Sequence, residues 1–331
     1  MKTVSFGIIS LVIGCGLFVG CSSKKYYEPK KSVDSKFKIF DLKQPILDKT
    51  SIGATLKDFS YISKDGVKTK VKNNYKFLNS SNNTEIFANT SDKVLIKTHT
   101  DTQIIQFKVA IVGATLKDNI LATIGTDNSL ALYDIKSKQF ILKEYRKASV
   151  LNDIKIANPI FLNTLVLYPT LDGKIVIVDK IKKKIIKTIN LDPNNTINNI
   201  IFLTTLEDDG LVAATSKKLF SFIDGKVNIK DIDIKDIVVD DNFIYLTTLD
   251  GEVRKYDKTL KKIASKKFKF AKFYTIAVGK KIYLLESQDY LIQLDKNLTN
   301  SVIYDFSFDE DKKVISIKNK IYFDNNYIVL P

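Results

Sequence analysis

Residues 158 to 191 read NPIFLNTLVLYPTLDGKIVIVDKIKKKIIKTINL. Four short apolar runs follow one another here: PIFL, TLVLYPT, KIVIV and KIIKTINL. An LDG turn, and a Lys-rich turn opened by Asp179, separate the later runs. KIVIV alternates with the period of two that a half-buried strand requires. Asp172-Gly173 sits between two β-branched runs, where a two-residue hairpin turn needs the positive φ that Gly adopts without steric cost. Asp179 closes the third strand, where a carboxylate can accept amide hydrogen bonds from the next turn and start the reversal. The segment reads as a four-stranded antiparallel meander, which alone would leave an apolar face in water.

The same pattern recurs along the chain. The third strand and its closing Asp return as SLALYD to Asp134, KIVIVD to Asp179, KLFSFID to Asp224, EVRKYD to Asp257 and YLIQLD to Asp295, in steps of 45, 45, 33 and 38 residues. Second strands return as ILATIGTD, TLVLYPTLD, LVAATSK, FIYLTTLD and KIYLLESQD. Fourth strands return as QFILKEYR, KIIKTINL, KVNIKDI, KKIASKKF and SVIYDFSF. A sheet repeated every ~40 residues has the period of a propeller blade. The five closing Asp residues, one per blade, are therefore read as structural turn residues.

Weaker copies extend the repeat in both directions. TEIFANT, KVLIKT and TQIIQFK make a further blade with a turn near Ser91-Asp92. Before it, GATLKD at 53–58 matches GATLKD at 113–118 and puts another turn at Asp65-Gly66. The last copy, KIYFDNNYIVL from 320 to 330, stops after its third strand. The expected fourth strand is KFKIFDL at 36–42, because closing a ring with strands from both ends removes the exposed edges that invite aggregation. Turns near 65, 91, 127, 172, 217, 250, 289 and 325 count eight blades. Seven stays open, since the step from 65 to 91 is short for a blade. The expected fold is all-β: a single propeller of four-stranded antiparallel blades over 36–331, closed by N- and C-terminal strands.

The chain begins MKTVSFGIISLVIGCGLFVGCSSKK. One Lys precedes an uncharged apolar run ending at Gly20-Cys21, after which polarity changes abruptly, as at the end of a secretory signal. Val4 to Gly20 is at the lower limit for crossing a bilayer as an uncleaved helix. Residues 1–20 are thus expected to be a signal peptide and 21–35 a polar, flexible tether. The Gly-Cys boundary resembles the lipobox of bacterial lipoproteins, with Phe18 where that family has Leu. This resemblance implies a diacylglyceryl group on Cys21 and an anchor in the membrane. Cys15, in VIGC, is a second candidate, but it would leave GLFVG as an apolar tail. With Cys15 removed and Cys21 acylated, no thiol remains for disulfides.

Net charge is +15 at pH 7, or +14 once Lys2 leaves with the signal. Lys falls mainly in turns and on alternate strand positions, mixed with Asp and Asn, and only two Arg are present. That pattern describes a solvated surface rather than a nucleic-acid site, with weak attraction to anionic membranes compatible. Catalytic motifs are missing. His99, in the polar turn KTHTDT, stands alone with no second His or Cys to make a metal site or a base pair. DEDKK at 309–313 and LEDDG at 206–210 lack the spacing and closing Glu of a calcium loop. Neither metal nor cofactor is expected, and the chain is read as a non-enzyme.

The blade pattern, best at 159–191 and 243–270, resembles the quinoprotein-type repeat. The fourth-strand Trp of that family is absent, since the chain holds no Trp and Ile186 stands in one such place. The vicinal disulfide and metal ligands of quinone-dependent dehydrogenases are also missing. Together with the lipobox, the repeat resembles the BamB family of outer-membrane assembly lipoproteins. That resemblance implies a scaffold on the outer membrane facing the periplasm. Its partners would be the periplasmic domains of the barrel-inserting protein and other assembly subunits. A lipid-anchored binding module for another protein or surface ligand is the alternative, and after it a degenerate quinone-dependent enzyme. The loops around Asp127, Asp172 and Asp250 mark one rim of the ring as a candidate binding face.

Overall fold

The computed structural model describes residues 25–81, 84–149, 155–194, 198–207, 210–308 and 313–331. Among them are eight sheets built on four antiparallel strands, successive in the chain: 46–68, 76–106, 111–144, 160–190, 202–231, 234–267, 273–305, and 314–329 completed by the N-terminal strand Ile39–Asp41. These are blades 1 to 8 of a β-propeller, so the count is eight. In blade 6 the third strand is Glu252–Asp257, the EVRKYD run, and in blade 4 it is Lys174–Asp179.

Each blade has an apolar face that only its neighbours can cover. Eight apolar clusters do this among the described residues, one at each blade junction. Leu132 of blade 3 meets Val166 and Val176 of blade 4, for example, and Tyr322 of blade 8 meets Ile46 and Leu56 of blade 1. A fully buried Ile, Leu or Phe contributes about 1.5–3 kcal/mol, so the ring is held by the sum of its junctions rather than by one core.

A row of aromatics on second strands is buried between blades: Phe87, Tyr168, Tyr245, Tyr283 and Tyr322 are each at most 2% exposed. A tyrosine adds a polar tip that must find a partner when buried. Tyr168 donates to the Ala131 carbonyl of blade 3 (2.7 Å), and Tyr245 to the Lys296 carbonyl of blade 7 (3.0 Å). Burial pushes the Tyr245 hydroxyl up to about 12, so it remains a neutral donor at physiological pH.

The ring closes where the sequence expects it to. Ile39–Asp41 pairs antiparallel with Asn326–Val329, in the register Ile39↔Ile328, Phe40↔Tyr327 and Asp41↔Asn326. The Phe40 and Tyr327 rings stack at 5.0 Å, and the Leu42 amide donates to the Asn325 carbonyl at 2.6 Å.

Three expectations are corrected. In blade 1 the second-to-third turn lies at 57–60, between Ala54–Leu56 and Tyr61–Ser63, and Asp65-Gly66 instead joins the third and fourth strands. The short step from 65 to 91 came from that misplacement. The two GATLKD strings occupy different places, the first running from a second strand and the second from the inner strand Ile111–Lys117 into the turn at Asp118. Residues 25–35 are also not a free tether. Tyr27 is 7% exposed, edge-on to Phe268 (5.9 Å) and Tyr290 (5.7 Å). Val33–Asp34 pairs in parallel with the outer strand of blade 7, and the Ser32 hydroxyl donates to Asp305 at 3.0 Å. Apolar burial and a sheet edge hold what composition alone reads as linker.

Candidate functional site

In an antiparallel meander, the second-to-third turn and the exit to the next blade fall at one end of the sheet, while the other two turns fall at the opposite end. Here exits and turns bond to each other on what we call the exit face. Phe268 N–H donates to the Gly251 carbonyl (2.9 Å), Ile232 N–H to Lys217 (3.0 Å), and Phe306 N–H to Asp289 (2.7 Å). Inner strands line a central channel between the two faces.

Two cavities occupy that channel. One of about 370 Å³ is bounded by inner strands of blades 6, 7 and 8, with Lys155, Asp236 and Asp240 on its wall. The other, about 520 Å³, lies against blades 2 to 5 and is lined by Asn79, Ser80, Ser81, Thr115 and Asn158 among others. Between them the chain entering blade 4 reaches across to blade 6, where Lys155 Nζ meets Asp236 Oδ1 at 2.7 Å. The other carboxylate oxygen accepts from the Thr275 hydroxyl and the Ile276 amide of blade 7, both at 2.9 Å. Thr275 in turn contacts Ser316 of blade 8, whose hydroxyl donates to the Ile276 carbonyl at 2.8 Å. Burial alone would raise the Asp236 carboxyl; the Lys155 ammonium and these hydrogen bonds outweigh it and hold the group below the ordinary carboxylate value. Sequence reasoning missed this pair, because the two residues stand 81 positions apart.

The loops read as a binding rim do share the exit face, but they differ in what they leave available. Asp172 is only 9% exposed. It accepts from Thr170 (2.6 Å) and Asn128 (3.1 Å) and pairs with Lys174 (2.5 Å). Its turn covers four residues, 170–173, rather than two: the Thr170 amide donates to the Lys174 carbonyl (2.8 Å) and the Thr170 hydroxyl accepts the Lys174 amide (2.9 Å). Gly173 takes the expected positive φ of 74°. Thr248-Leu249-Asp250-Gly251 repeats the design, but its Asp250 is exposed and paired with Lys267 at 2.5 Å. Asp127 caps its own loop by accepting the Ser129 amide at 3.0 Å.

The five blade-closing carboxylates lie on the opposite face. Asp134 accepts the Lys136 amide (2.8 Å), Asp179 those of Ile181 and Lys182 (both 2.9 Å), Asp257 those of Thr259 and Lys261 (both 2.9 Å), and Asp295 those of Thr299 and Asn300 (both 2.9 Å). The Asp295 carboxyl is held well below the usual range, chiefly by the Thr299 hydroxyl. Asp224 differs: with φ of 49° it forms a two-residue Asp-Gly turn with Gly225, at 75°. His99 is exposed in the turn between the third and fourth strands of blade 2. Cys15 and Cys21 lie outside the described residues, as do 309–312 and 208–209 of the two acidic turns.

Comparison with known proteins bears on both fold and relationship. No family profile matches the chain. The chain is 29% identical to the plasminogen-binding protein PgbB of Helicobacter pylori strain J99, and 28% identical to that of strain 26695. Each alignment covers 96% of this chain and 70% of the relative. Among solved structures it is similar to BamB from Moraxella catarrhalis, at a TM-score of 0.66 with 14% identity, covering 90% of this chain and 99% of that one. It is also similar to Sqt1 of Saccharomyces cerevisiae, at 0.62 with 12% identity, covering 91% and 99%. The chain is therefore a BamB-like eight-bladed propeller in fold, with a sequence relationship to plasminogen-binding proteins along almost its whole length.

Proposed function

We propose that this protein is a lipid-anchored propeller of the bacterial cell envelope that works by binding other proteins, without catalysis of its own. The observation that carries the proposal is the alignment of 96% of the chain with PgbB, which spans all eight blades rather than one shared module. Plasminogen is then the ligand the relationship supports, and Cys21 is the acylated residue that holds the propeller at the membrane. The polar channel suits this reading, since its central charged pair is engaged by blades 6 and 7.

A second reading is favoured by the likeness to BamB: a scaffold in outer-membrane barrel assembly, docked on the periplasmic domains of the barrel-inserting protein. The two readings part experimentally. Full-length tagged protein, crosslinked mildly in native membranes and recovered with its partners, is compared with the Cys21→Ala form, and plasminogen capture is measured on intact cells. Surface capture of plasminogen without recovery of the barrel-inserting protein supports the first reading. Recovery of that protein, reduced in Cys21→Ala, with no surface capture, overturns it in favour of the second.

A further inference from the structure

We infer that the exit face at blades 6 and 7 is a membrane-contact surface that lies against anionic lipid headgroups. The inference rests on the lipid-anchor reading for its geometry, though not for its chemistry. The described chain starts on this face: Tyr27 is wedged between Phe268 and Tyr290, and Lys25 Nζ lies 5.6 Å from the centre of the Phe270 ring. Cys21 is four residues earlier. At most about 3.5 Å per residue, a lipid there keeps Lys25 within ~14 Å of the acyl attachment. A tether this short cannot turn the opposite face of the ring toward the bilayer without pulling Tyr27 out of its buried place.

The side chains on this face have the chemistry such a position needs. Phe270 is 39% exposed at a φ of 69° on the loop between blades 6 and 7, and Leu249 is 57% exposed on the adjoining turn. Lys269 Nζ lies 5.1 Å from the Phe270 ring, and Lys235 and Lys272 line one cavity of about 300 Å³ with Leu249. Lys25, Lys235, Lys269 and Lys272 make no ion pair among the described residues, while the nearby Asp250 and Asp233 are taken by Lys267 and Lys217 at 2.5 Å each. Glu28, Glu286, Asp289 and Asp305, gathered around Tyr290, offset part of the remaining positive charge. Two exposed apolar tips ringed by unpaired ammonium groups match the interface of an anionic bilayer, where each lysine near the surface strengthens binding about fivefold.

The chain has no Trp, so a single introduced one is a clean reporter. Full-length protein carrying Phe270→Trp is reconstituted into phosphatidylcholine vesicles with or without phosphatidylglycerol, using brominated lipid as the quencher. Ile181→Trp, at a 68% exposed position on the opposite face, is the control. The expected result is quenching at 270 and not at 181, increasing with anionic lipid and weakened by high salt or by Lys269→Glu with Lys272→Glu. Equal quenching at both sites, or none at 270 while acyl labelling shows Cys21 modified, overturns the inference; the latter leaves the anchor intact and makes this face a protein contact. Absence of label at Cys21 with quenching at 270 retained removes the anchor reading alone.

Discussion

The Asp236 cluster gives the sharpest test of how the ring is held. Asp236→Ala removes an acceptor shared by three donors on two elements: Lys155 of the strap, and Thr275 and Ile276 of blade 7. The Ile276 amide is fixed by its strand and loses its partner outright, at a cost of about 1–3 kcal/mol. Lys155 loses the Asp236 carboxylate but keeps the Lys235 carbonyl at 3.3 Å, and its side chain is 22% exposed and can turn toward channel water, so the penalty of about 3–5 kcal/mol for breaking a fully buried pair is only partly incurred. The sum is about 3 kcal/mol for Asp236→Ala. Asp236→Asn is expected to cost less, because its carbonyl can still accept from Ile276 while its amide faces Lys155. Lys155→Ala is milder still, at about 1 kcal/mol, since blade 7 keeps its acceptor. At about 2 °C per kcal/mol for a chain of this size, the alanine variant melts ~6 °C low. Urea midpoints, with m unchanged, check the order Ala > Asn > Lys155→Ala. Three equal values, or an Asp236→Ala loss below about 0.5 kcal/mol, would refute the shared-acceptor argument.

The same carboxyl sets a pH dependence. Its folded value is below its unfolded one, so its contribution is complete above the unfolded value of ~3.9 and is lost as pH falls through the folded value. Thermal scans from pH 7 to pH 3 should show the wild type losing stability more steeply below pH ~4 than Asp236→Asn. Gly251→Ala should cost more than Gly225→Ala, although both glycines have positive φ, 82° and 75°. A Cβ at 251 would sit 2.5 Å from the Phe268 carbonyl oxygen, whereas one at 225 meets nothing within 4 Å, leaving only the left-handed backbone penalty of about 1–2 kcal/mol. Removing residues 36–42 should open blade 8 and expose the Asn326–Val329 edge, giving concentration-dependent oligomers by size-exclusion light scattering. A monodisperse monomer would show that the closing strand is dispensable.

Much of the fold was legible because the blade is a local object. Strands such as Glu252–Asp257 announce themselves by alternation, and turns by Asp and Gly, so the ring and its closing strand follow from residues near in sequence. Blade 1 was misread because GATLKD matches as a string while occupying a second strand in one place and an inner strand in the other; a half-apolar hexapeptide suits either. Tyr27 was assigned to a linker because nothing in SSKKYYEPKK signals the pocket that Phe268 and Tyr290 form from distant blades. The channel pair and the exit-face lysines were illegible for the same reason: each is brought together by ring closure, and one Lys or Asp in a strand looks like any other.

Quantitative binding of plasminogen to the immobilised full-length protein, with the purified barrel-inserting protein injected in parallel over the same surface, tests the central claim most directly. The account predicts saturable plasminogen binding that survives heating to just below the propeller's melting point and disappears above it. No saturable binding by the folded protein, with the barrel-inserting protein bound instead, would contradict it.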